Sequence, residues 1–138
     1  MGAHGEPGLQ QISPVPSPED LTKRMINLLT DTTDSDRAYI PFSPDRSDNA
    51  GVVLLLNSLG STSDEILARF AELGIAELES QGFSVTRLTL GPLVTSLKMS
   101  GFGFTLWRLP SKNKKEVLSR EEALDLWDRP VEVVAWRQ

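Results

Sequence analysis

The sequence predicts an α/β fold, a layered sheet containing a βαβ unit with flanking helices. Three observations carry that reading. An apolar run, Val52 to Leu56, ends in the polar turn Asn57-Ser58-Leu59-Gly60-Ser61-Thr62. A long helical pattern follows it. Two more strand-like runs, Phe83 to Leu90 and Phe102 to Leu109, come after that helix and are separated by a Thr/Ser loop. Short Val- and Leu-rich runs on either side of a helix mark a buried sheet joined by a crossover.

The elements follow in order. Residues 1–16 carry three prolines and three glycines without clean periodicity and read as loop, with a short extended piece at Leu9 to Ile12. Ser17-Pro18-Glu19-Asp20 reads as a helix start: a serine cap, proline at the first helical position, and acids at the positive end. Leu21, Met25, Leu28 and Leu29 share one face, so residues 18–30 form an amphipathic helix. Residues 31–49, with two prolines and five aspartates, read as a long polar loop.

Val52 to Asn57 is the first strand of the central unit. Thr62-Ser63-Asp64-Glu65 fits a capping box with Thr62 as the cap. The helix over 63–81 packs through Ile66, Leu67, Phe70, Leu73, Gly74 and Leu78, and Gly82 ends it with a positive φ. Gly74 inside that helix costs about 1 kcal/mol relative to alanine, which a close crossing against the sheet would explain. In the strand 83–90, Phe83, Val85 and Arg87 lie on one side, and Thr86, Leu88 and Leu90 on the other. In 102–109, Phe102, Phe104, Leu106 and Arg108 oppose Thr105, Trp107 and Leu109. Asn113 to Leu118 reads as a weak helix. Ser119-Arg120-Glu121-Glu122 is a second capping box, opening a helix that Pro130 stops. The tail, 131–138, reads as an edge strand or an extended arm.

Bulk properties narrow the function. A chain of 138 residues is read as one domain, divided into a loop (1–16), a helix and polar loop (17–50), an α/β core (51–130) and a tail. The longest apolar run has five residues, Val52 to Leu56, too short to cross a bilayer, so no membrane partner is expected. The first residues have neither a basic start nor an apolar stretch, so no secretory signal is read there and a cytoplasmic location is expected. The net charge of -5 argues against nucleic acid, because no basic stripe faces phosphates. Without cysteine, disulfides, thiolate catalysis and cysteine-based metal sites are excluded, and a single histidine, His4, excludes chemistry needing two. The aspartates of 31–48 lack the glycine and glutamate of a calcium loop, so no metal site is read.

Three stretches could hold chemistry. His4, in Gly2-Ala3-His4-Gly5-Glu6-Pro7-Gly8, offers an imidazole that can act as ligand, base or nucleophile; as a glycine-rich terminus it also reads as a flexible end. Asn57 to Thr62 sits where open α/β sheets collect ligands; the plainer reading is that Asn57 and Thr62 only cap and turn the chain. It is not a P-loop, having no Gly-Lys-Ser/Thr. Ser96, in Thr95-Ser96-Leu97-Lys98-Met99, reads as a loop hydroxyl rather than a nucleophile.

These same stretches resemble dihydroxyacetone kinases. Met1 to Gly8 is similar to that family's M-G-I-H-G-E-P-G signature. Asn57 to Ser63 resembles its N-N-L-G-G-T-S turn, and Gly91 to Phe102 resembles G-x-F-M-T-S-L-D-M-A-G-F. Ala135-Trp136 matches its tryptophan-containing tail. The resemblance implies the C-terminal half of the substrate-binding K domain. It implies that His4 bonds covalently to the carbonyl of dihydroxyacetone as a hemiaminal, with Gly5 beside it in the substrate site. It implies that ATP and magnesium sit on a separate nucleotide-binding domain, so this chain itself holds no cofactor. Two residues depart from the pattern: Ser61 replaces the second glycine of the turn, and Lys98 reverses the charge of an aspartate. The first half of the K domain has no counterpart in these residues, so the chain reads as a fragment, inactive by itself. A homodimer is expected. Two further readings are a non-catalytic dihydroxyacetone-binding or regulatory module, and a dimerisation piece joined through a sheet edge.

Overall fold

The computed structural model describes residues 12–36, 38–46, 51–111 and 117–133. β1 (Gly51–Ser58) lies in the middle of a three-stranded sheet, between β2 (Ser84–Gly91) and β3 (Phe102–Arg108). A strand with a neighbour on each side and helices over both faces has little use for polar side chains, hence its unbroken Val/Leu run. Val52, Val53, Leu54 and Leu56 have no exposed surface. β1 pairs parallel with β2, from Gly51 opposite Ser84 to Asn57 opposite Gly91. Parallel neighbours need a crossover, and α2 (Asp64–Ser80) supplies it. β3 runs antiparallel on the other side, from Val52 opposite Arg108 to Ser58 opposite Phe102. The predicted βαβ-containing α/β architecture is the one observed.

The two faces of the sheet are covered by different helices. α1 (Pro18–Thr30) and α2 share one core with Val52, Leu54, Leu56, Phe83, Phe104 and Leu106. On the opposite face, α3 (Arg120–Trp127) closes a small second core of Val53, Leu109 and Ala123.

Helix ends follow the sequence, with one exception. Ser17 Oγ accepts from the Asp20 N–H at 3.1 Å and Pro18 opens α1. The capping box of α3 is complete: Ser119 Oγ accepts from the Glu122 N–H at 3.1 Å, and Glu122 Oε2 accepts from the Ser119 N–H at 2.8 Å. That bonding holds the Glu122 carboxyl below its ordinary pKa. Gly82 takes a φ of 85° just beyond α2, whose cap is Gln81. The exception is the start of α2. Ser63 caps it, accepting from the Ile66 N–H at 3.4 Å, because the Thr62 hydroxyl is engaged elsewhere.

Three expectations about faces are corrected. In α1 the inward stripe is Thr22, Ile26 and Thr30, while Leu21, Met25 and Leu29 flank it and Leu28 is exposed. Hydropathy points away from threonine, yet its methyl packs well; the Thr30 hydroxyl is satisfied, whereas the Thr22 hydroxyl is buried without a hydrogen-bond partner among the described residues. Thr30 Oγ1 lies 3.0 Å from the Ile26 carbonyl and 2.8 Å from Gln81 Oε1. In α2, Leu67, Phe70, Gly74 and Leu78 are buried as expected, together with Ala71, but Ile66 lies in the first turn and is 49% exposed. In β2 a bulge breaks the alternation: Val52 pairs with Val85, but Val53 pairs with Arg87. The extra residue, Thr86, shifts everything after it by one. Val85 and Leu90 therefore pack into the same core, and Arg87 turns toward α3.

Gly74 has the close crossing that its presence in a helix requires. A Cβ there would lie 2.8 Å from Phe104 Cε1, so only hydrogen lets α2 approach β3 this tightly. Val117 and Leu118 form no helix, and residues 131–133 join no strand; the rest of the expected 113–118 helix and of the tail lies outside the described residues.

Candidate functional site

Two turns interlock at the carboxyl ends of the parallel strands β1 and β2. One is the 57–63 turn leading into α2, and the other is the 91–101 loop between β2 and β3. Backbone bonds form the seam. Leu59 donates to the Gly101 carbonyl at 3.0 Å, Ser61 to the Met99 carbonyl at 3.1 Å, and Ser96 to the Leu59 carbonyl at 2.9 Å. Gly60 and Met99 form an isolated parallel bridge.

Side chains of the first turn close the seam. The Asn57 amide makes two bonds to one residue: Nδ2 donates to the Val94 carbonyl at 2.7 Å, and Oδ1 accepts from the Val94 N–H at 2.6 Å. Thr62 grips Gly101 in the same way. Its Oγ1 donates to the Gly101 carbonyl at 2.7 Å and accepts from the Gly101 N–H at 3.1 Å. Ser61 donates its hydroxyl to the Lys98 carbonyl. Ser58 Oγ ties the turn internally, donating to the Thr62 carbonyl at 3.1 Å and accepting from the Gly60 N–H at 3.2 Å. The reading of Asn57 and Thr62 as simple caps is thus incomplete, since both reach across to a loop 37 and 39 residues away.

This bonding holds a backbone that would not hold itself. Leu97 and Lys98 have φ of 25° and 61°, in the region that side chains other than glycine's avoid. Gly101 lies so close to Leu59 that a Cβ would come within 3.0 Å of Leu59 Cδ1. Lys98 is the single charged residue of the 91–101 loop, and it is exposed. Ser96 is exposed too, and no described base bonds to its hydroxyl, in keeping with its reading as a loop residue.

His4 and Gly5 lie outside the described residues. Among the described residues no group of three or more His, Cys, Asp or Glu side chains could hold a metal ion, and no helix is long and apolar enough to cross a membrane. The paired reach of Asn57 and Thr62 was missed at the sequence level. The available signal was their position: two hydrogen-bonding side chains just past a wholly buried strand must find partners in whatever loop lies alongside.

Known proteins match this architecture. Residues 1–135 match the Dak1 domain. The chain is 36% identical over 119 residues to a dihydroxyacetone kinase of Komagataella pastoris, covering 86% of this chain and 19% of that protein. It is 34% identical over 139 residues to dihydroxyacetone kinase 2 of Saccharomyces cerevisiae, covering all of this chain and 22% of that one. It is also 33% identical over 145 residues to an L-erythrulose 1-kinase of Mycolicibacterium smegmatis, covering 21% of it. A solved structure concerned with regulation of the dha operon of Lactococcus lactis superimposes with a TM-score of 0.72 at 29% identity, over 98% of this chain and 37% of that one. The chain spans about a fifth of the length of these curated relatives. With the match running nearly end to end, the chain belongs to the Dak1 domain family.

Proposed function

We propose that this chain is the substrate-holding part of a dihydroxyacetone kinase and that His4 binds the substrate covalently. The observation that carries the reading is a Dak1 match from residue 1 to residue 135, which takes in both the His4 stretch and the interlocked turns. The names of the relatives add a chemical argument. Dihydroxyacetone and L-erythrulose differ in length but are both hydroxy ketones, so a site serving such substrates has the carbonyl as a common handle.

The step balances simply. A neutral imidazole nitrogen of His4 adds its lone pair to the ketone carbon, and the carbonyl π electrons move to oxygen, which takes up a proton. The ring loses its N–H proton to solvent, leaving a neutral hemiaminal. Glycerol, with the same carbon skeleton but no carbonyl, cannot react. The bond fixes a small ligand in one orientation, replacing alignment that weak contacts cannot supply, and leaves a terminal hydroxyl free as phosphoryl acceptor. ATP with magnesium, held on a separate nucleotide-binding domain, supplies the phosphoryl group. By itself this chain is therefore inactive.

Mass spectrometry under mild conditions tests this. The full-length protein incubated with dihydroxyacetone should carry an adduct at His4, absent with glycerol and absent in His4→Ala. An intact protein that turns over dihydroxyacetone without any adduct at His4 refutes the covalent role. The similarity to a structure concerned with operon regulation favours a second reading, a dihydroxyacetone-binding module that signals instead of transferring phosphate. Adduct formation without ATP consumption by the full-length protein would select it.

A further inference from the structure

We infer that Asn57 and Thr62 are positioning residues, a pair of latches that hold the 91–101 loop as a fixed wall of the substrate site. This rests on the reading above for what the wall serves, but the latch itself stands on geometry. Each side chain grips both the N–H and the C=O of one loop residue, Asn57 at Val94 and Thr62 at Gly101. Those residues lie toward the two ends of the loop, so the segment between them is pinned from both sides.

The pinned segment needs it. Leu97 and Lys98 occupy positive φ, and Leu97 is fully exposed, so no packing holds them there. Released from Val94 and Gly101, they would relax to ordinary backbone angles, and the Ser61 bond to the Lys98 carbonyl would go with them. The latches stand on half-buried residues, Asn57 at the end of β1 and Thr62 just before α2, a few positions beyond the wholly buried Val52–Leu54 and Leu56, and so carry the rigidity of the core out to its rim. The carboxyl ends of parallel strands are where α/β sheets bind ligands. A loop held rigid there, in a family whose members act on small ketoses, preorganises a site that would otherwise have to order itself around each substrate.

The test uses the full-length protein and two readouts. In Asn57→Ala and Thr62→Val, amide exchange at Leu59, Ser61, Ser96 and Met99 should speed up by about tenfold or more, while β1 amides such as Leu54 stay protected. The KM for dihydroxyacetone should rise by about fivefold or more, with kcat changed by less than about twofold, and Thr62→Ser should restore both. Asn57→Asp, which keeps the acceptor but loses the donor, should fall between. Unchanged exchange in both variants overturns the latch. Faster exchange with wild-type KM and kcat overturns the positioning role. Should the wild-type full-length protein neither bind nor phosphorylate dihydroxyacetone, the functional reading fails, and the exchange readout decides the latch separately.

Discussion

The two faces of the sheet are built to different standards. One carries α1 and α2 over a continuous core from Ile26 through Leu54 and Leu78 to Phe104. The other carries only α3 over Val53, Leu109 and Ala123, with Trp107 and Trp127 stacked at 5.3 Å. It is also tied by an exposed, doubly hydrogen-bonded ion pair between Arg87 and Asp128, at 2.8 and 2.6 Å, and by Arg120 Nε donating to the Pro110 carbonyl at 3.1 Å. The lesson is that the bulge at Thr86 shapes both faces. By turning Arg87 away from the main core it gives α3 its ion pair, and by returning Leu90 to that core it leaves the first face closed.

Breaking the thick face should cost most. Leu54→Ala removes a wholly buried side chain from the central strand and should lower unfolding free energy by about 2–5 kcal/mol, read by denaturant titration. Gly74→Ala tests the close crossing on the same face. Overpacking against Phe104 costs about 1–3 kcal/mol, offset by about 1 kcal/mol of helix propensity, so a net loss is expected. A gain in stability would show that the Phe104 ring yields freely.

The thin face should yield locally. Trp127→Ala removes the pairing with Trp107, worth about 1 kcal/mol beyond the apolar area that is lost with it, with amide exchange rising in α3 well before α1 or α2. If all three helices lose protection together, the faces are coupled and the contrast fails. Ser61→Gly restores the family's residue in the first turn and deletes the bond to the Lys98 carbonyl. It should shift stability by about 0.5 kcal/mol, with its effect confined to exchange at Met99.

Acid should act on helix ends before it reaches the core. Arg87 holds the Asp128 carboxyl below its ordinary pKa, and the Ser119 N–H does the same for Glu122. A carboxylate with a folded pKa below its unfolded one stabilises above the unfolded value of about 4, and that contribution disappears as pH falls through the lowered value. Exchange in α3 should therefore rise below about pH 4, as it should at the exposed ends of α1 and α2, where Asp31 and Glu65 are lowered in the same way, while the buried core still holds. Asp128→Asn should weaken the α3 response by removing one of its two titrating groups.

Much of this was legible in the residues. The Ser17-Pro18 start, the Ser119–Glu122 box, the Val52–Leu56 run and the Phe102–Leu106 alternation each depend on neighbours three or four positions away at most, and each folds as read. Gly74 announced a close contact without naming Phe104. What misled was chemistry that hydropathy does not register. Thr22 and Thr30 are scored polar but face inward, and Thr62 and Ser63 are equally good caps on paper.

Element order, the α/β class and the family signatures follow from the residues alone, because those rest on local periodicity, caps and turn residues. Which way β2 faces after Thr86, which of two hydroxyls caps α2, and where Asn57 and Thr62 spend their hydrogen bonds emerge only in the assembled fold. Each of those outcomes depends on a partner 30 or more residues away: Val52 and Val53 for the bulge, Gly101 for Thr62, Val94 for Asn57. A hydrogen-bonding side chain at the rim of a buried strand takes the partner that folding brings to it, and no local pattern names that partner in advance.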